Sequence, residues 1–112
     1  MSFALTTPQM LARTKTVTRR RGWAALKPGT LIQAVEKSQG LRKGEKVRKL
    51  GVIRVVSVSR QRLHEIDDDD VWREGFNMPA HEFVEMFCEA TGGDRNQVVT
   101  RIEFEHVEEP QP

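Results

Sequence analysis

The sequence predicts a small antiparallel or mixed β-barrel of the α+β class, with about five to six strands and two or three short helices plugging its ends. Three observations lead there. Strand patterns recur along the chain, whereas only one segment carries a long helical pattern. The order β-α-β-β-β-(α)-α-β has too few helices for the crossovers of a parallel sheet. The length of 112 residues suits one domain, with a core over about 3–107 and a flexible tail over 108–112.

Each element has a local reason. Phe3-Ala4-Leu5 is a short apolar run and is read as a first strand. Thr6-Thr7-Pro8 is a helix start, with Thr7 as cap and Pro8 at the first helical position, where its missing N–H costs nothing. The helix runs to about Arg13. Lys15 to Arg20 alternates, with β-branched Thr16, Val17 and Thr18, and reads as a strand ended by Gly22-Trp23. Lys27-Pro28-Gly29 is a turn, and Leu31 to Val35 a largely buried strand. Residues 38–49 form a basic loop. Leu50 to Ser59 is the longest apolar strand, with valines and Ile53 on both faces. The aspartates Asp67 to Asp70 lack the glycine and glutamate spacing of a calcium loop and read as a solvated loop or helix start. Val71 to Glu74 is one helical turn, broken at Gly75. Pro79 opens the clearest helix, with Ala80, Phe83, Val84, Phe87 and Cys88 on one face and Gly92-Gly93 at its end. Val98 to Val107 is the last strand. Val98, Thr100, Ile102 and Phe104 face one way, and Arg101, Glu103 and Glu105 the other.

Composition narrows the function classes. Hydrophobic content is 38% and mean hydropathy −0.55, so the core is small but feasible. No apolar run approaches the roughly 20 residues of a membrane helix, and no membrane partner is expected. Met1 to Leu5 lacks the basic and long apolar regions of a signal peptide. Cys88 is the only cysteine, which excludes an intramolecular disulfide and a cysteine zinc cluster. A reducing cytoplasm is the expected compartment. Net charge is +2 but lopsided. Residues 1–62 carry 15 Lys/Arg against two acids, and residues 63–112 carry three against 14. Either the basic half meets a polyanion, or the two halves interleave and cancel.

The densest chemistry lies in Arg13-Thr14-Lys15-Thr16-Val17-Thr18-Arg19-Arg20-Arg21. Other site types fall away. Gly40 to Gly44 lacks the Walker spacing, no G-x-S-x-G elbow is present, and His64, His81 and His106 are scattered. No metal and no cofactor is expected. A threonine hydroxyl becomes a nucleophile when a base takes its proton. Lys15 can be that base if desolvation or the cations Arg13, Arg19 and Arg20 depress its pKa. Glu74, beside a glycine break, is the carboxylate that could orient the lysine or protonate a leaving amine. A plain charged surface strand remains an open reading of the same residues. In a regular strand Lys15 and Thr18 point to opposite faces. Their cooperation needs a bulge, or Lys15 in the turn before the strand. Thr16 shares Thr18's face and is the fallback hydroxyl.

Thr14-Lys15-Thr16-Val17-Thr18-Arg19-Arg20, after a first strand and short helix, resembles the signature of the ASCH domain, a member of the PUA-like superfamily. Lys27-Pro28-Gly29-Thr30-Leu31-Ile32 resembles the family's basic turn before an apolar strand, with Thr30 replacing the usual acid. Glu74-Gly75-Phe76 before a helix containing Glu82-Phe83 is similar to its glutamate–glycine–aromatic segment, and Val99 to Val107 to its closing strand. The resemblance implies two functions. One is an amidohydrolase that removes the acyl group from N4-acetylcytidine or a related nucleoside. Lys15, Thr18 and Glu74 would be catalytic, and Thr16 and Arg20 substrate contacts. Thr18 favours this branch, since many ASCH domains have glutamate there, whereas Arg19 stands where the amidohydrolase motif is apolar. The alternative is a non-catalytic or nuclease-type module for RNA or single-stranded nucleic acid. Arg19, Arg21, Arg42, Lys43 and Lys46 would then contact phosphates, with Trp23 or Trp72 stacking on a base.

Overall fold

The computed structural model describes residues 1–37 and 42–108. Its centre is one antiparallel sheet of four strands: β1 (Val17–Arg20), β2 (Leu31–Val35), β3 (Lys49–Arg62) and β4 (Val98–Val107). They lie in the order β1-β4-β3-β2. Three short helices complete the fold: α1 (Thr7–Leu11), α2 (Asp68–Arg73) and α3 (Ala80–Thr91). Among the described residues the result is an α+β half-barrel of four strands, fewer than the five to six expected.

The difference begins at the amino end. Phe3-Ala4-Leu5 is not a strand. Thr6 N–H donates to the Phe3 carbonyl and closes a 3-10 turn over Ala4–Thr6. Only the residues before it pair with β2, where Ser2 bridges Val35 in parallel. Val35 N–H donates to Met1 O and Phe3 N–H to Val35 O. Thr7 does not cap the helix; its hydroxyl donates back to the Phe3 carbonyl at 3.1 Å. The helix stops at Leu11 and Arg13 turns left-handed (φ 60°), so β1 starts at Val17 rather than Lys15.

β3 is longer than the expected 50–59 because its whole length has a partner. Val52 to Arg62 pairs along β4, with a bulge between Val55 and Ser57. The bulge makes both faces useful. On one face Phe3, Met10, Ala34, Leu50, Ile53 and Phe104 form a core. Near the other end Leu63, Ile66, Val71, Phe83, Phe87 and Val99 form a second core beneath α2 and α3. Val99 is therefore fully buried and Val98 exposed, the reverse of the expected alternation at that point. Beyond it Thr100, Ile102 and Phe104 are buried as expected.

The aspartate run starts a helix. Asp67 caps α2 by accepting from Asp70 N–H at 2.8 Å. Helix α3 keeps its expected bounds, and Gly92 (φ 88°) ends it in a conformation that favours glycine. Of the basic loop, residues 38–41 lie outside the described residues, and Arg42, Lys43 and Lys46 are exposed.

The two cores give a stability prediction. Phe104 is 2% exposed and meets Phe3 edge-on at 6.0 Å. Phe104→Ala is expected to lower the unfolding free energy in urea by about 3–5 kcal/mol. Leu31→Ala, at an exposed edge position, is expected to change it by less than about 0.5 kcal/mol.

Candidate functional site

The link between α1 and β1 is held in place by its backbone. Thr14 N–H donates to Gln9 O, Thr16 N–H donates to Arg73 O, and Phe104 N–H donates to Thr16 O. The His106 ring meets the Lys15 carbonyl at 2.7 Å. Lys15 thus sits in the extended link before β1, clear of the strand's strict alternation. Its side chain is 3% exposed, and its Nζ donates to the Glu74 carbonyl at 2.6 Å and to Glu74 Oε1 at 2.9 Å.

Glu74 follows the last residue of α2, and Gly75 turns the chain with φ 103°. A side chain there would be strained by that φ and crowded by its neighbours. A Cβ at Gly75 would lie 3.0 Å from Gln9 Cγ and 3.5 Å from Lys15 Cβ. Glu74 Oε2 accepts from Arg19 Nη1 at 3.0 Å. The other guanidinium arm, Arg19 Nη2, donates to Asp70 Oδ2 at 2.5 Å. Asp70 lies one turn before Glu74, so both carboxylates leave α2 on one side. Arg101 grips Asp70 with two hydrogen bonds, at 2.7 and 2.9 Å, and Arg73 adds a third contact at 3.1 Å.

These contacts set the charges. Burial pushes the Lys15 amine below its ordinary value, against the opposing pull of Glu74. The Arg101 guanidinium, helped by Arg19, holds the Asp70 carboxyl well below the usual carboxylate range despite partial burial. The same pairing raises Arg101.

Above this cluster lies a cavity of about 560 Å³. Its lining mixes the polar groups of Lys15, Thr18, Arg20 and Glu74 with the apolar side chains of Phe3, Phe76, Phe83, Met86 and Phe87. The Phe76 ring centre is 6.0 Å from Lys15 Nζ. Arg20 Nε donates to the Thr18 hydroxyl at 3.1 Å and its Nη2 to Ser2 O at 2.7 Å, across the gap between β1 and the amino-terminal segment. Among the described residues, no three His, Cys, Asp or Glu side chains gather as a metal-binding group.

The residues singled out from the sequence therefore separate. Lys15, Thr18, Glu74 and Arg20 line one cavity. Both side-chain hydrogen bonds of Lys15 go to Glu74, while Thr18 is held by Arg20. Thr16 is half-buried beside the cavity wall without lining it. Arg19, expected to contact phosphate, is 4% exposed, and its charge is met by Glu74 and Asp70. Arg21 stands exposed at the cavity mouth, with Nη1 on the Thr91 carbonyl at 2.7 Å. Trp23 and Trp72 are exposed and neither lines this cavity. Asp70 and Arg101 were missed. The one signal for Asp70 was its place four residues before Glu74, at the head of a helix.

No protein-family model and no curated protein matches the sequence. Solved structures do match. A crystal structure of an ASCH domain from Lactobacillus crispatus JV V101 superposes with a TM-score of 0.63 at 15% identity, covering 91% of this chain and 70% of that one. This chain has the fold of an ASCH domain. The protein EF3133 from Enterococcus faecalis V583, of family DUF984, superposes on the ASCH fold seen here with the same TM-score and identity, covering 92% and 70%. At this identity the likeness concerns the fold alone.

Two outcomes follow from the buried charges. Arg19→Met leaves Asp70 and Glu74 each short of a cation and is expected to cost about 3–5 kcal/mol of stability in urea. Asp70, whose folded pKa is depressed, contributes stability that is present above its unfolded pKa near about 4 and is lost as pH falls below it. Wild type is therefore expected to lose stability more steeply than Asp70→Asn on acidification from pH 5 to pH 2. Parallel curves for the two would contradict the assignment.

Proposed function

We propose that this ASCH domain binds single-stranded RNA or a related single-stranded nucleic acid and takes one base into the cavity. The observation that carries this is the cavity's mixed lining. Phenylalanine rings from the amino-terminal segment, the Gly75 turn and α3 offer surfaces for stacking. The same lining holds a donor at Lys15, a hydroxyl at Thr18 and an acceptor at Glu74. A planar heterocycle, with apolar faces and a polar edge, can use both kinds of group. The volume of about 560 Å³ suits one nucleoside. The basic loop is linked to this side of the molecule. Arg48 pairs with Glu36, whose carbonyl accepts from the hydroxyl of Ser2 in the cavity wall. Arg42, Lys43 and Lys46 would then follow the strand's phosphates, with the salt dependence such contacts bring.

A second reading, the N4-acylcytidine amidohydrolase, is favoured by one observation: Lys15, Thr18 and Glu74 share the cavity, and burial lowers the Lys15 pKa. In that reaction the Thr18 hydroxyl attacks the acyl carbon and its proton passes to Lys15. The carbon–nitrogen bond breaks with that proton returned to the leaving amine, and water then cleaves the acyl-threonine ester. Lys15 would have to exchange one Glu74 contact for Thr18.

Anisotropy with a labelled single-stranded 10-mer separates the readings. Binding is expected to weaken steeply with salt. Phe76→Leu, which keeps apolar volume but removes the ring, is expected to weaken it about 5- to 100-fold. A duplex of the same sequence is expected to bind less. Absence of binding at low salt, or an unaffected Phe76→Leu, would remove the binding reading. Release of acetate from N4-acetylcytidine, lost in Thr18→Ala, would install the hydrolytic one.

A further inference from the structure

Arg20 is a cation of the cavity wall that no carboxylate touches among the described residues. Its neighbour Arg19 meets two carboxylates. Arg20 meets none within 4.0 Å among the described residues; its partners are the Thr18 hydroxyl and the Ser2 carbonyl. Its guanidinium lies 4.7 Å from the centre of the Phe3 ring, which withdraws it further from water. Neutral oxygens orient a guanidinium without neutralising it, and a poorly solvated cation gains most from an anion. Consistent with this, burial pushes Arg20 down to about 10, against the longer-range attraction of Glu74.

Arg21, the next residue, also lines the cavity and has no carboxylate partner among the described residues. One arm is occupied by the Thr91 carbonyl at the end of α3. Of the charged side chains around the cavity, Lys15 is answered by Glu74 and Arg19 by Glu74 and Asp70. The surplus positive charge is at Arg20 and Arg21.

We infer that Arg20 and Arg21 form an anion subsite at the cavity mouth that receives a phosphate of the ligand, so that a phosphorylated ligand is preferred over a free nucleoside. The inference rests on the proposed occupation of the cavity by a base, since that selects phosphate over other anions. The N–H groups that the Thr18, Ser2 and Thr91 contacts leave free on the two guanidiniums can donate to phosphate oxygens. A terminal phosphate monoester and the diester of a strand share this chemistry.

The test uses the full chain, with the arginine Nε–H signals followed by NMR and affinities measured by calorimetry. The probes are inorganic phosphate, the four ribonucleosides, their 5′-monophosphates and dinucleotides lacking a terminal phosphate. Inorganic phosphate is expected to shift the Arg20 and Arg21 signals. At least one phosphorylated probe is expected to bind at least about 10-fold more tightly than its nucleoside. Preference for the monophosphate assigns a monoester, and preference for the dinucleotide assigns a diester. Arg21→Met, an exposed change, is expected to reduce that preference, whereas Arg54→Met, on the exposed strand surface away from the cavity, leaves it intact. Arg20→Met is expected to abolish it; should that variant not fold, Arg21→Met and the wild-type signals decide. Phosphate shifts at both arginines without any binding of nucleosides or nucleotides would uphold the anion subsite and remove the base reading. Nucleosides binding as tightly as their phosphorylated forms would overturn the subsite and leave the base reading standing. Arginine signals that no phosphate probe moves would likewise overturn it.

Discussion

The carboxylate of Glu74 is the point on which the structure turns. Its two oxygens are divided between Lys15 and Arg19, residues 59 and 55 positions away in sequence. Arg19 reaches on to Asp70, and Asp70 to Arg101 in β4. One ionic cluster therefore ties the end of α2 to both β1 and β4. Burying these charges is costly, and their attraction offsets that cost only when every partner is present. The apolar core beneath α2 and α3 supplies the hydrophobic stabilisation. The cluster contributes to register, because the carboxylates of α2 meet partners on both β1 and β4.

The cavity follows from that placement. β1 and the amino-terminal segment form the two margins of an incomplete barrel, and Arg20 reaches across between them to Ser2. With Glu74 pinned below, α3 covers the opening with Phe83, Met86 and Phe87. The mixed polar and aromatic lining is thus a consequence of how the half-barrel closes. Lys15 joins that lining because the left-handed Arg13 ends α1 early and delays the strand. That is the turn geometry that lets Lys15 and Thr18 share one space.

Much of the fold was legible in the sequence where a single segment contained its own cause. β2, α3 and β4 follow from apolar periodicity bounded by Pro79, Gly92 and turn residues. Lys15, Thr18 and Glu74 stood out by their side-chain chemistry and again by the resemblance, but spacing alone could not bring residue 74 to residue 15. Phe3 to Leu5 misled because strand-like composition yielded to a backbone turn closed by Thr6. Arg19 misled more deeply. Its burial depends on Asp70, 51 residues distant, and both belong to runs that read as solvated charge. The charge asymmetry of the two halves was likewise ambiguous. Lys15–Glu74, Arg19–Asp70 and Arg54–Glu105 join the halves, so part of the apparent dipole is cancelled inside the molecule. Among the described residues, the cavity cations that no carboxylate touches are Arg20 and Arg21.

The most direct measurement is a map of backbone amide shifts on titration of the full chain with a short single-stranded RNA. Perturbations are expected to converge on the cavity: residues 2–6, 15–21, 74–76 and 83–91, with smaller changes over 42–48. Shifts confined to the basic loop or to the exposed strand positions around Arg54 and Val56, leaving Thr18, Glu74 and Phe76 unmoved, would contradict a cavity built around Glu74 as the ligand site.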